Sequence, residues 1–228
     1  MLPLLSEIKQ KADALIFDID GTLLDSMTVW NQADIVFLNS RGFEVTPDYT
    51  DYVKSARIED AAVYTKERFG LPDTPESIMN EWNAFVDHAY AYEVPLKDGA
   101  YEYLAAARAA GFKTACATAL TPRNIRSAFT RLGILGMFYS IVTLSGLPGF
   151  PDKSRPDIFL HTASLLSSLP SRTIVFEDVP AALSGASKGG FMTCAVKDPV
   201  GAGSERSWVS MTEDSDYFFT SWRELIED

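Results

Sequence analysis

ALIFDIDGTLLDS, residues Ala14 to Ser26, runs an apolar stretch straight into two aspartates and a Gly-Thr turn. ALIFDI (14–19) reads as a strand buried on both faces, short, apolar and closed by a turn signal. Asp18 and Asp20 are two positions apart, so on an extended chain their side chains share one side. Like charges held that close repel by roughly a few kcal/mol at intermediate effective dielectric. A divalent cation relieves that cost, as does a proton shared with a substrate. One carboxylate can then attack phosphorus while its neighbour handles the leaving-group proton. The plainer alternative is an Asx turn closing the strand, which needs only one aspartate.

The rest of the chain narrows the choice. Its 228 residues carry 31 acidic and 20 basic side chains, a net charge of -11 that repels polyanions, so nucleic acid is not an expected partner. A small phosphorylated metabolite is compatible with that field, because local cations and a metal can reverse it within one pocket. Cys116 and Cys194 each sit in an apolar run, which points to buried free thiols in a reducing cytosol and not to a disulfide framework. The opening MLPLLSEIKQ is too short an apolar run for a signal peptide, and no stretch approaches the roughly 20 residues that span a bilayer. A cytoplasmic protein without a membrane partner is expected, as a monomer or alternatively a homodimer.

Further strands are expected at KTACAT (113–118), SIVTL (140–144), TIVFED (173–178), MTCAV (192–196) and YFF (217–219). Helical patterns separate them, over 98–110, 122–132, 156–169 and 180–188; the last three open on Pro, 156–169 ends before Pro170, and the others end at Gly. Strand-helix alternation implies right-handed crossovers and an α/β doubly wound parallel sheet. Residues 27–92 contain no strand pattern and read as three helices, over 27–41, 57–69 and 75–92. The expected organisation is therefore a Rossmann-like core of residues 1–24 and 95–228, with an inserted α-helical domain at 25–94. Asp25, at the crossing, either braces the linker or caps the helix that follows. The acidic end, 224–228, reads as the solvated face of a last helix.

Several side chains gather at the carboxyl ends of these strands, where open α/β sheets bind ligands. Thr118 ends KTACAT, and its hydroxyl with the amides of Ala119 and Leu120 can donate to a phosphoryl oxygen; alternatively Thr118 caps the helix at Pro122. Lys153, in PDKSRPDIF, can neutralise a transferring phosphoryl group or be a solvated loop lysine. Glu177 and Asp178 end TIVFED, and an adjacent acidic pair closing a buried strand is costly without a cation. Oxygen-only ligands suit Mg²⁺ rather than zinc. Asp178 as an N-cap is the alternative, which leaves Glu177 unexplained. Together these residues make a full set for metal-assisted phosphoryl transfer.

The set closely resembles the haloacid dehalogenase-like (HAD) superfamily, in its phosphatase and β-phosphoglucomutase-like branch with a helical cap. FDIDGTLLDS matches the first family motif, the end of KTACATAL the second, KSRPDIF the third and VFEDVPAAL the fourth. The resemblance implies that Asp18 is the nucleophile, forming an aspartyl-phosphate, and that Asp20 is the general acid/base. It implies an Mg²⁺ site built from Asp18, the backbone carbonyl of Asp20, Glu177 and Asp178. Thr118 and Lys153 would hold the phosphoryl group, and the 25–94 insertion would be the cap that excludes water. Ser154 departs from the family's usual proline, and SGLPGFPD departs from the commoner Gly/Asp-rich loop before Lys153.

Within the family the expected activity is a Mg²⁺-dependent phosphatase of a small phosphorylated metabolite. Dehalogenation does not use a second aspartate like Asp20. A phosphonatase would need a desolvated cap lysine, and nothing around Lys54 or Lys66 marks one. A β-phosphoglucomutase-like sugar phosphomutase is the alternative, although Trp30 stands where that enzyme has a cap histidine and Ile58, beside Arg57, where it has an arginine. A catalytically silent binding protein on the same fold has no need of all six residues. Trp30, Lys54 and Arg57 are the candidate substrate contacts on the cap, set against packing for Trp30 and plain exposure for Arg57.

Overall fold

The structure, a computed structural model, describes residues 1–147, 149 and 152–226, and of Lys54 and Ser55 only the backbone. In chain order the first elements are α1 (Leu5–Ile8), β1 (Ala14–Phe17), α2 (Val29–Asn39), α3 (Pro47–Ser55), α4 (Ile58–Phe69) and α5 (Pro75–Tyr92). Then follow α6 (Ala100–Ala109), β2 (Lys113–Thr118), α7 (Pro122–Arg131), β3 (Ser140–Thr143) and α8 (Asp157–Leu165). The chain closes with β4 (Thr173–Glu177), α9 (Pro180–Lys188), β5 (Met192–Val196), α10 (Glu205–Asp214), β6 (Tyr217–Phe219) and a single 3₁₀ turn, Trp222–Leu225.

The six strands form one sheet in the order β3-β2-β1-β4-β5-β6, each pairing parallel. β1 is buried at every position, as an uninterrupted apolar run requires when helices cover both faces. On one face Ile16, Ala115, Val142 and Val175 pack against Ile158, Phe159 and Ala163 of α8 and Ala182 and Ala186 of α9. Elsewhere in the core the rings of Phe17 and Phe176 stack at 4.7 Å, with Trp222 and Tyr103 closing around them. Where an acidic last helix is expected, the chain forms a short turn that buries Trp222 and Leu225, while Glu227 and Asp228 lie outside the described residues. Its Trp222 indole N–H donates to Thr22 O (3.0 Å), tying the carboxyl-terminal end to the turn after β1.

The chain divides into two compact units, Met1–Met27 with Val94–Asp228, which carries the sheet, and Thr28–Glu93, which is helical. Two helices escape the apolar pattern. α3 (PDYTDYVKS) is short and polar, and its anchor is one fully buried ring, Tyr49. α10 buries only Trp208 and Met211, three apart, and is started by Ser204, whose hydroxyl accepts from Ser207 N (3.1 Å). The two crossings between the units run side by side within the first unit. Leu24 bridges Leu96 in antiparallel fashion, Asp25 N donates to Pro95 O (3.0 Å), and Lys97 N donates to Leu23 O (2.8 Å). Asp25 therefore braces the linker through its backbone while its side chain is exposed; the cap position of α2 belongs to Thr28.

Candidate active site

Topology places the site. The strand order reverses between β1 and β4, the switch point where open α/β sheets leave a crevice beyond the strand ends. Phe17 is in register with Phe176, and Asp18 N extends that ladder by donating to Phe176 O (3.0 Å). One residue further on, Asp18 and Glu177 emerge side by side, with Asp178 next. β1 itself stops at Phe17, two residues short of the expected end, so Asp20 belongs to the turn and bridges Leu24.

One carboxylate oxygen each from Asp18, Glu177 and Asp178 lies within 4.8 Å of the others. All three residues are buried, Glu177 and Asp178 completely. Asp18 is thus also crowded across strands, by the β4 pair. Lys153 sits among them, its Nζ donating to Asp18 Oδ1 and to Glu177 Oε1 (2.5 Å). It is not a solvated loop lysine: its side chain is 13% exposed. Burial alone would lower its pKa, but the Asp18 and Glu177 carboxylates outweigh that and raise it. Burial, then repulsion by Asp18, raises the pKa of Glu177 well above the ordinary carboxylate range. The same two causes push Asp178 up to about 8.

These features test the fit of a cation. Glu177 Oε2 and Asp178 Oδ2 are buried and lack a hydrogen-bond partner among the described residues. Three ionised carboxylates against one ammonium leave two negative charges, the charge one divalent cation neutralises. An all-oxygen donor set suits Mg²⁺. Asp18, Glu177 and Asp178 therefore fit such an ion, which would stabilise negative charge developing on a bound phosphoryl group.

Neighbouring side chains fix this arrangement, and several carried little sequence signal. Thr22, fully buried, donates its hydroxyl to Asp178 Oδ1 (3.3 Å), and Ser26 donates to Asp20 Oδ1 (2.6 Å). Asp178 does not cap α9, whose cap residue Val179 has no side-chain bond. Its carboxylate lies between two glycines: a Cβ at Gly21, where φ is +72°, would fall 2.1 Å from Oδ2, and one at Gly201 would fall 1.8 Å away. Gly185, inside α9, admits the lysine loop, since a Cβ there would lie 2.0 Å from Lys153 O. A glycine within an Ala-rich helix is a legible hint of close packing; nothing in the sequence around Gly201 marks its role.

Thr118, at the same edge, is buried, and the helix cap assigned to it as an alternative belongs instead to Thr121, which accepts from Asn124 N. The Leu120 amide donates to Thr118 Oγ1 (3.1 Å), so in this conformation that amide is spent on the threonine. The threonine keeps its own O–H proton to donate. Ala119 is exposed.

Among the described residues, no contact joins the candidates Trp30 and Arg57 of the helical unit. Trp30 is 46% exposed on α2 and so is not core. Arg57 is exposed and pairs with Glu59 (3.4 Å) and Asp60 (3.7 Å) of its own helix. The Lys54 side chain lies outside the described residues, as do Pro148, Phe150 and Pro151 of the SGLPGFPD loop.

A protein-family model described as haloacid dehalogenase-like hydrolase matches residues 12–190. Protein CbbY of Rhodobacter capsulatus is 26% identical over 186 residues, covering 78% of this chain and 82% of that protein. A beta-phosphoglucomutase of Mycobacterium tuberculosis is 28% identical over 211 residues, covering 80% and 78%. The crystal structure of CbbY from Rhodobacter sphaeroides in complex with phosphate shares the fold at a TM-score of 0.73 and 20% identity, covering 94% of this chain and 96% of that one. With six parallel strands around a carboxylate-lined switch point, the chain belongs to the haloacid dehalogenase-like hydrolases, as an enzyme of their phosphatase and phosphomutase branch.

Proposed function

We propose that the enzyme is a Mg²⁺-dependent phosphatase that hydrolyses the monoester of a small phosphorylated metabolite through Asp18. The observation that carries this reading is the ammonium of Lys153 held between Asp18 and Glu177 in a buried, over-acidic site. Lys153 and the hydroxyl of Thr118 bind the phosphoryl oxygens and orient phosphorus toward Asp18. Asp18 attacks, the P–O bond to the alcohol breaks, and Asp20 supplies the proton that the leaving alkoxide takes. Asp20 then takes a proton from water, which attacks the aspartyl-phosphate and releases inorganic phosphate and free Asp18. Ser26 orients Asp20 for both transfers through its 2.6 Å hydrogen bond. In the same reading residues 28–93 form the cap that excludes water, and its exposed Trp30 and Arg57, with Lys54, contact the substrate. Two buried free cysteines favour a reducing, cytoplasmic setting.

Asp18→Asn should abolish phosphate release while leaving the circular dichroism spectrum unchanged, and EDTA should do the same reversibly. Undiminished turnover by Asp18→Asn would overturn the mechanism. Similarity to a beta-phosphoglucomutase favours a second reading, return of the phosphoryl group to a sugar. Incubation with β-glucose 1-phosphate separates the two: inorganic phosphate supports the hydrolase, glucose 6-phosphate the mutase.

A further inference from the structure

Lys97 lies far from the carboxylates in sequence, yet its contacts converge on one of them. Its backbone N–H is held by Leu23 O, in the turn that carries Asp20 and Thr22. Its Nζ reaches across to the loop after β5, donating to Asp198 Oδ2 (2.8 Å) and to Lys197 O (3.2 Å). Asp198 is only 3% exposed, so this is a largely desolvated ion pair and not a surface one. Its other oxygen, Oδ1, accepts from Val200 N (2.8 Å) and Gly201 N (3.0 Å). That turn sets Gly201 flat against the Asp178 carboxylate, at the position where a Cβ would strike Oδ2. Gly21 meets the same oxygen from the β1 turn, and Thr22 holds the other one.

We infer that Lys97 and Asp198 are positioning residues for Asp178: the ion pair clamps the 198–202 loop to the β1 turn and so fixes the Asp178 carboxylate in the direction in which it would hold Mg²⁺. The inference rests on the metal site proposed above. Without the clamp, Asp198 keeps its turn but the turn loses its anchor to Leu23, and Gly201 no longer confines the carboxylate. Partners that orient a metal ligand typically control 10- to 100-fold in metal affinity.

Calorimetric titration of the purified full chain with MgCl₂ tests this without reference to turnover. Lys97→Met, which keeps the stem and drops the cation, should weaken Mg²⁺ binding at least about 10-fold. Lys97→Arg should restore most of that affinity, and Gly201→Ala should lose as much or more. Arg223→Met, which breaks the exposed pair with Asp98 next to this segment, should leave Mg²⁺ affinity at the wild-type value. Wild-type affinity in both Lys97→Met and Gly201→Ala, or a lowered melting temperature with unchanged Mg²⁺ affinity in Lys97→Met, overturns the inference. Asp178→Asn distinguishes the two layers: if it binds Mg²⁺ as the wild type does, the metal site itself is misassigned and the inference falls with it.

Discussion

Replacing Gly185 by alanine sets two effects of opposite sign against each other. In the interior of a helix, Gly→Ala ordinarily gains up to about 1 kcal/mol. At this position the new Cβ would lie 2.0 Å from Lys153 O, 2.9 Å from the Ser154 carbonyl carbon and 3.1 Å from Arg155 O. All three are backbone atoms, so no side chain can swing aside. Restoring even 3.0 Å to the first contact moves the lysine loop away from α9 by about 1 Å. Overpacking of this kind costs about 1–3 kcal/mol, which exceeds the helix gain and leaves a net loss of about 1 kcal/mol. For a unit of this size that is about 2–4 °C in Tm. The kinetic effect is larger, because a misplacement of 1 Å costs about 100-fold where geometry sets the rate. Gly185→Ala should therefore melt slightly below wild type and lose about two orders of magnitude in kcat for phosphate release. Thermal melting by circular dichroism and a phosphate-release assay read both. A variant that is more stable and equally active would show that the α9 contact does not hold Lys153 in place.

Lys153→Met removes the ammonium from among three buried carboxylates, and in metal-free protein it should cost about 3–5 kcal/mol at pH 8. Urea titration should show the deficit shrinking at pH 5.5, because Glu177 and Asp178, with raised pKa values, take up protons more readily there. In the helical unit, Asp34 accepts from Tyr49 Oη (2.9 Å), and burial pushes its pKa up to about 6 from 3.8 despite that bond. Its contribution is full below about pH 4 and is lost as pH rises through about 6, since the folded state then holds a charge that the unfolded chain solvates better. Two units correspond to about 3 kcal/mol, and solvent screening of this partly exposed group reduces that to about 1–2 kcal/mol. Asp34→Asn should accordingly raise Tm at pH 7.5 and leave it unchanged at pH 4, as measured by melting across the pH range.

The strands were legible because a two-sided parallel sheet demands unbroken apolar runs, and ALIF, KTACAT and TIVFE meet that demand within two residues. The convergence of Asp18, Thr118, Glu177 and Asp178 on one edge followed from the same pattern, since each ends a strand. What stayed hidden depends on contacts between distant segments. Glu177 crowds Asp18 because of the β1–β4 register, and register is a property of the assembled sheet. Thr22 and Gly201 both act through the Asp178 carboxylate, at sequence separations that no periodicity encodes. α3 and α10 carry no legible pattern because, among the described side chains, each buries only one or two, too few to make a stripe.

The paired crossings at Leu23–Asp25 and Pro95–Lys97 close residues 28–93 into a loop whose neck is already hydrogen-bonded within the sheet-bearing unit. Once a neck is clamped, the entropy of closing the loop grows only logarithmically with length, by about 0.6 kcal/mol per doubling. The insert can therefore be lengthened, trimmed or rebuilt at little cost to the core, provided the two strands of the neck keep their register. Selection on the helical unit and selection on the carboxylates at the end of β1 can proceed almost independently, within one continuous chain.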